Sequence, residues 1–268
     1  MTLSDNIIAV VIGVVEGLTE FLPVSSTGHM ILVGSLLGFE GEKASVFEVF
    51  IQLGAILSVF ILYRDKFLAM LKPQSLRVYG GGLTALHVLV GIVPVMGIGY
   101  LLHKPIKTFL FAPQTVIVGL VAGAVLMLVA EKAAKRPVTR SVDNMTLSQA
   151  FWVGLFQILS LWPGFSRSGS TIAGGLFLGM SRTAAAEFSF IIAVPIMLVA
   201  CIYDLLKIWD QLGSSDLLMF AIGFGVAFVT AYISIVWFLR FLNNSTLASF
   251  AYYRFIIAGV SYYYFFGR

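Results

Sequence analysis

An all-α fold is predicted: a polytopic membrane helical bundle with an inverted-topology repeat, two re-entrant helix-loop-helix hairpins and about six full transmembrane helices. Three observations predict it. The first is composition: of 268 residues, 59% are hydrophobic and 11% charged, with a mean hydropathy of +0.96. A soluble chain carries roughly 25% charged residues, so too little polar surface exists here to cover a water-facing globule. The second is that apolar runs such as 115–130 and 217–239 are continuous, unlike the alternating segments of about 10 residues in an outer-membrane barrel. The third is that two further apolar segments are broken at their middles by Pro, Gly and Ser. At about 20 residues per span the length leaves no room for a separate soluble domain, so residues 1–268 are read as a single integral membrane domain.

The first broken segment, 7–37, is interrupted at Leu22-Pro23-Val24-Ser25-Ser26-Thr27-Gly28. Each half is too short to cross about 30 Å of hydrocarbon at about 1.5 Å per residue, so the segment enters and returns. Its start could pass for the apolar core of a signal peptide, but no Lys or Arg precedes it and Glu16 and Glu20 follow, so it is read as mature structure. Full spans follow at 47–63, 83–102 and 114–130. A second broken segment, 147–178, is interrupted at Trp162-Pro163-Gly164-Phe165-Ser166-Arg167-Ser168-Gly169, and spans at 187–206, 217–239 and 250–266 complete the chain. Irregular backbone at membrane depth is tolerated only against protein or a watery cavity, so the two interruptions are expected to meet inside the bundle.

Charge placement orients this layout. Arg64, Lys66, Lys72 and Arg77 fall in one loop and Lys132, Lys135, Arg136 and Arg140 in another, two spans apart. Both are assigned to the cytoplasm. Glu40, Glu42 and Lys43, the loop at Lys104 and Lys107, and both termini then lie outside. Tyr262-Tyr263-Tyr264 suits a membrane interface. The net charge of +4 is thus topology, and no basic, aromatic-interleaved stretch suggests nucleic acid. The one cysteine, Cys201, excludes an internal disulfide and a Cys-based metal cluster.

A shift of 141 residues aligns Gly13 with Gly154, Glu16 with Gln157, Thr19 with Ser160, Ser25 with Ser166, Gly28 with Gly169 and Gly38 with Gly179. Repeat halves of about 1–140 and 141–268 would each hold one hairpin and three spans. Three is odd, so the halves are expected to be inverted, their hairpins approaching from opposite faces.

Glu16 and Glu20 share one helix face in an apolar stretch, and intramembrane acids are functional candidates by default. Ser25, Ser26, Thr27 and His29 follow, placing hydroxyls and an imidazole near the acids. A carboxylate can fix a histidine's tautomer and raise its basicity, which suits it to moving a hydroxyl proton. His87 and His103 lack such company and read as packed histidines. In the second interruption, Arg167 stands among Ser166, Ser168, Gly169, Ser170 and Thr171 at a helix start. A guanidinium, hydroxyls and free N–H groups there describe an oxyanion site, most plausibly for phosphate, with Gly164 in the turn. Arg167 could pair with Glu16 or Glu20 at rest and clamp phosphate when substrate arrives. Gln52, Glu187, Tyr203 and Asp204 are weaker candidates, and Gly119, Gly123, Gly223 and Gly225 read as close-packing positions.

These segments, Glu16-Gly17-Leu18-Thr19-Glu20, Pro23-Val24-Ser25-Ser26-Thr27-Gly28-His29 and Pro163 through Thr171, resemble the signatures of the bacterial undecaprenyl-diphosphate phosphatase family, the BacA/UppP family of bacitracin resistance. The resemblance spans essentially the whole chain. It implies removal of the terminal phosphate of undecaprenyl diphosphate, which recycles the lipid carrier of peptidoglycan and other envelope polymers. It also implies Ser26 as nucleophile, His29 as its proton-transfer partner, Glu16 and Glu20 as the acidic motif and Arg167 as phosphate clamp, with Ser166, Ser168 and Thr171 assisting. Stimulation by a divalent cation, Mg²⁺ or Ca²⁺, belongs to the same expectation. A water held by metal on Glu16 and Glu20 needs the same residues without the nucleophile. The implied partners are the polyprenyl diphosphate substrate and membrane lipid; the oligomeric state stays open, a homodimer included. A flippase that moves a lipid phosphate without cleaving it is the competing class, and an intramembrane serine protease a weaker third that has no use for Arg167.

Overall fold

The computed structural model describes residues 3–76, 82–110, 112–208 and 217–267. The helices are α1 (Leu3–Thr19), α2 (Ser26–Leu37), α3 (Glu42–Leu62), α4 (Arg64–Met70), α5 (Ala85–Leu101), α6 (His103–Phe109), α7 (Pro113–Ala133), α8 (Leu147–Gln157), α9 (Arg167–Phe177), α10 (Arg182–Ile208), α11 (Leu217–Leu242) and α12 (Ala248–Phe266). Among the described residues β-pairing is limited to one isolated bridge, Thr139 to Met180. By length and composition α3, α7, α10 and α11 can cross a membrane. Helices α5 and α12, of 17 and 19 residues, occupy the other two expected positions. The chain is a multi-pass membrane bundle. Arg77 and the side chain of His103 lie outside the described residues, while His87 is packed as expected, its two ring nitrogens bonded to Thr84 and to the Met145 carbonyl.

Both interruptions behave as returns. Helix α1 stops ahead of Pro23, which holds Leu22 out of helical conformation, and α2 restarts at Ser26. Ala9 and Ile12 of α1 and Met30 of α2 share an apolar cluster with Phe47 of α3 and Phe220 of α11. In the second hairpin, Gln149 Nε2 near the start of α8 donates to the Leu178 carbonyl just past α9, at 3.1 Å. Each hairpin therefore leaves the bundle on the side where it entered.

The offset of 141 reappears in the backbone. Among the described residues, the non-glycine residues with positive φ are Ser25 (72°) and Ser166 (76°). Each caps the helix that follows, its hydroxyl accepting the N–H three residues on, from Gly28 and Gly169 respectively. Gly38 and Gly179 end those helices at φ 63° and 75°. A left-handed serine costs on the order of 1–3 kcal/mol, and the cap bond offsets part of that cost.

The basic loops meet at one end of the bundle. Lys66 Nζ donates to both Asp143 oxygens at 2.6 Å, and Asp143 Oδ1 also accepts the Leu83 N–H at 3.3 Å. Arg182 at the start of α10 pairs with Glu131 of α7, whose Oε1 also accepts the Leu247 N–H at 2.7 Å. Burial alone would raise the Asp143 pKa, but the bonds from Lys66 and the Leu83 amide outweigh it and hold the carboxyl below its ordinary value. A depressed carboxyl stabilises the fold above its unfolded pKa of about 3.9 and loses that contribution as pH falls through the folded value. Asp143→Asn is therefore expected to cost up to about 1 kcal/mol at pH 7, the ceiling for a half-exposed pair. The thermal-unfolding gap between the two proteins is expected to close below about pH 4.

Candidate active site

The two interruptions touch at mid-bundle, and a carboxylate joins them. Glu20 lies just past α1, and its Oε2 accepts the Ser26 hydroxyl at 2.5 Å. Its Oε1 accepts Arg167 Nη2 at 3.2 Å. Arg167 is the first residue of α9, as Ser26 is of α2, and the same offset of 141 relates them. The pair is shielded, with Glu20 8% and Arg167 12% exposed. Two charges leave water at that depth only when further bonds surround them. Here Arg167 Nη1 donates to the Ser189 carbonyl at 2.9 Å, and the guanidinium lies 5.5 Å above the Phe21 ring. Thr171 Oγ1 donates to the Arg167 carbonyl at 2.8 Å and is hydrogen-bonded to the Ser189 hydroxyl at 2.7 Å, fixing the helix start. Ser168 Oγ donates to the Leu22 carbonyl at 2.9 Å, a stitch from tip to tip.

A cavity of about 200 Å³ opens over this contact. Glu20, Ser25, Ser26 and Thr27 line it from the first tip; Ser160, Gly164, Ser166 and Arg167 from the second; and Gln52 from α3. Two helix N-termini abut it, and their first-turn N–H groups have no partner inside the helix. Arg167 Nε is buried with no acceptor, a spare donor beside those termini. The arrangement favours a multiply charged oxyanion next to a hydroxyl held by a carboxylate. Ile196 and Ala200 also border a second, mostly apolar groove of about 810 Å³, lined by Val95, Met96, Leu161 and Val199, with Tyr100, Lys104 and Tyr203 at its polar points.

The other expected residues fall behind this front. Glu16 is 1% exposed, its Oε1 is unpartnered, and it does not line the cavity. His29 Nδ1 donates to the Ser25 carbonyl at 2.8 Å, so in the neutral ring Nε2 accepts from the Tyr253 hydroxyl at 2.8 Å. Against the sequence expectation, Glu20 and not His29 receives the Ser26 hydroxyl. The reason is helical: side chains tilt toward the helix N-terminus, which sends the His29 ring back over Ser25 rather than sideways to Ser26. Ser168, Gly169 and Thr171 support the tip from outside the cavity lining. Sequence reasoning missed Ser189, Tyr253 and Arg254. Of these only Arg254 carried a signal, as a charge inside the apolar stretch 250–266.

The donor set does not form a resident metal cage. Among the described residues no three His, Cys, Asp or Glu side chains converge, and both Glu20 oxygens are engaged. Glu16 Oε1 is buried without a partner, but one carboxylate oxygen off the cavity does not hold a divalent cation by itself.

Residues 9–260 match a family model described as "Bacitracin resistance protein BacA". Undecaprenyl-diphosphatase 1 of Bacillus thuringiensis (strain Al Hakam) is 50% identical over 256 residues, 96% of this chain and 97% of the relative. Undecaprenyl-diphosphatase of Nitratidesulfovibrio vulgaris (strain DP4) is 48% identical over 262 residues, 98% of this chain and 99% of the relative.

Proposed function

The chain belongs to the bacitracin resistance protein BacA family, and from that membership we infer that it hydrolyses undecaprenyl diphosphate to undecaprenyl phosphate and inorganic phosphate. This recycles the lipid carrier of peptidoglycan and envelope polymer synthesis and underlies bacitracin resistance. The observation that carries the chemistry is the Ser26–Glu20–Arg167 contact.

In this reading the terminal phosphoryl group displaces Glu20 from Arg167 and sits between the guanidinium and the two helix N-termini. Ser26 Oγ attacks phosphorus while its proton passes to Glu20 Oε2, and the bond to the lipid phosphate breaks. The proton then goes to the departing phosphate oxygen, which restores the Glu20 carboxylate. Water attacks phosphoserine with Glu20 as base, inorganic phosphate leaves, and Ser26 recovers its proton. Arg167 and the helix ends stabilise charge on the transferring oxygens throughout. His29 holds the Ser25 turn. A divalent cation, Mg²⁺ or Ca²⁺, carried on the diphosphate would neutralise phosphate charge, and none of this chain's residues is assigned to hold it.

The apolar groove takes the polyprenyl tail, since it joins the polar cavity at Ile196 and Ala200. It runs past Leu101 and Tyr203, toward the ends of α5 and α10 remote from the basic loops. This supports a site opening to the outer face of the inner membrane. The halves 1–140 and 141–268 are inverted repeats in this reading, supported by the matched serine caps and by hairpins that enter from opposite ends.

Purified protein given the lipid diphosphate is expected to release inorganic phosphate, and acid quenching mid-turnover to yield a peptide phosphorylated at Ser26. A carrier that only moves the lipid would release none.

A further inference from the structure

Arg254, on α12, is the largest fully buried side chain among the described residues, with 0% exposure. Its donors reach only neutral acceptors. Nε donates to the Leu120 carbonyl at 3.1 Å, Nη1 to Met127 Sδ at 3.6 Å, and Nη2 to the carbonyls of Gly119, Gly164 and Phe165 at 3.2, 2.8 and 2.9 Å. Among the described residues it joins none of the ion pairs. A guanidinium solvated by carbonyl dipoles and one thioether is costly in a bundle interior, which makes it a functional candidate.

Its position says what for. Gly164 and Phe165 lead into Ser166 and Arg167, and Gly164 and Ser166 are both left-handed, at φ 89° and 76°. In a trans peptide the N–H points away from the carbonyl of the same unit. With the Phe165 carbonyl drawn back to Arg254, the Ser166 N–H turns to the opposite side, where Ser166 lines the cavity. Room for the guanidinium is made by Gly123, where a Cβ would collide with Arg254 Nη2 and the Phe165 carbonyl. The neighbouring Tyr253 bonds His29, so two consecutive residues of α12 brace both hairpins from behind.

We propose that Arg254 is a positioning residue for phosphate: it anchors the rear of the second tip so that amides and Arg167 face the lipid's terminal phosphate, and its unpaired charge adds to the pull on that anion. The proposal rests on the phosphatase reading, deepens it, and fails separately. Wild-type protein that releases no phosphate from the lipid diphosphate would overturn the reading itself.

The test measures kcat, KM and the inhibition constant of orthophosphate, per folded protein by thermal unfolding in detergent, for Arg254→Met, Arg254→Lys and Gly123→Ala. Misplaced donors lose transition-state stabilisation, so Arg254→Met is expected to lower kcat about 100-fold. Arg254→Lys keeps charge but loses the fork, and is expected to lower kcat about 10-fold or more. Both weaken orthophosphate inhibition. Gly123→Ala, which keeps the Arg254 side chain but puts a Cβ where its Nη2 and the Phe165 carbonyl lie and so displaces them, is expected to fall between them. Folded variants with near-native kcat and orthophosphate inhibition would overturn the proposal. So would loss of folded protein in all three, which would make Arg254 a fold residue alone.

Discussion

Ser26→Ala is expected to lower phosphate release from undecaprenyl diphosphate on the order of 10⁴-fold or more, the usual scale for removing an activated nucleophile. The Ser26 hydroxyl lines the cavity and already donates its hydrogen bond to Glu20 Oε2 at 2.5 Å, a base placed to take the proton as the oxygen attacks. Glu20→Gln is expected to cost nearly as much, and the double variant little more than either, because base and nucleophile act as one unit. KM is expected to change little in Ser26→Ala, since the hydroxyl contributes to the chemical step and not to holding the tail. Near-native turnover by Ser26→Ala would reject the phosphoserine route and favour direct attack by water. A steady-state assay on folded protein in detergent decides it.

Arg167→Met carries the second large effect, an expected loss of about 10³- to 10⁵-fold, the range for an arginine that stabilises transferring phosphoryl charge. Lysine is not expected to rescue it, because a point charge cannot replace a planar fork that bonds Glu20, Ser189 and phosphate in turn. A stability effect accompanies it. Breaking a buried pair leaves an uncompensated charge, worth about 3–5 kcal/mol. Arg167→Met with Glu20→Gln is therefore expected to recover thermal stability but no activity. Recovery of turnover in the double variant would mean that Arg167 serves the fold alone.

The convergence of the two hairpins was legible because Pro, Gly and Ser break apolar runs too short to span, and acids in one interruption and an arginine in the other need partners at membrane depth. The Ser26–Glu20 hydrogen bond was not legible, because adjacency in sequence says nothing about side-chain tilt. Ser189 and Tyr253 were not legible: a hydroxyl on a long apolar helix carries no mark of a partner lying 18 or 224 residues away. Arg254 was legible by the rule applied to Glu16 and Glu20, and was passed over. Helix ends were read short, as at Glu42 and Arg182, because hydropathy marks what lipid covers and polar residues continue the helix beyond it. The short helices α4 and α6 were taken as loops for the same reason.

Ser26 and Arg167 occupy one socket, built twice: the residue that follows a left-handed serine. The two turns share a backbone form and a cap while the side chains they present differ, a hydroxyl from one and a guanidinium from the other. A phosphate chain entering between them meets a polarised chamber and has only one productive direction to lie in.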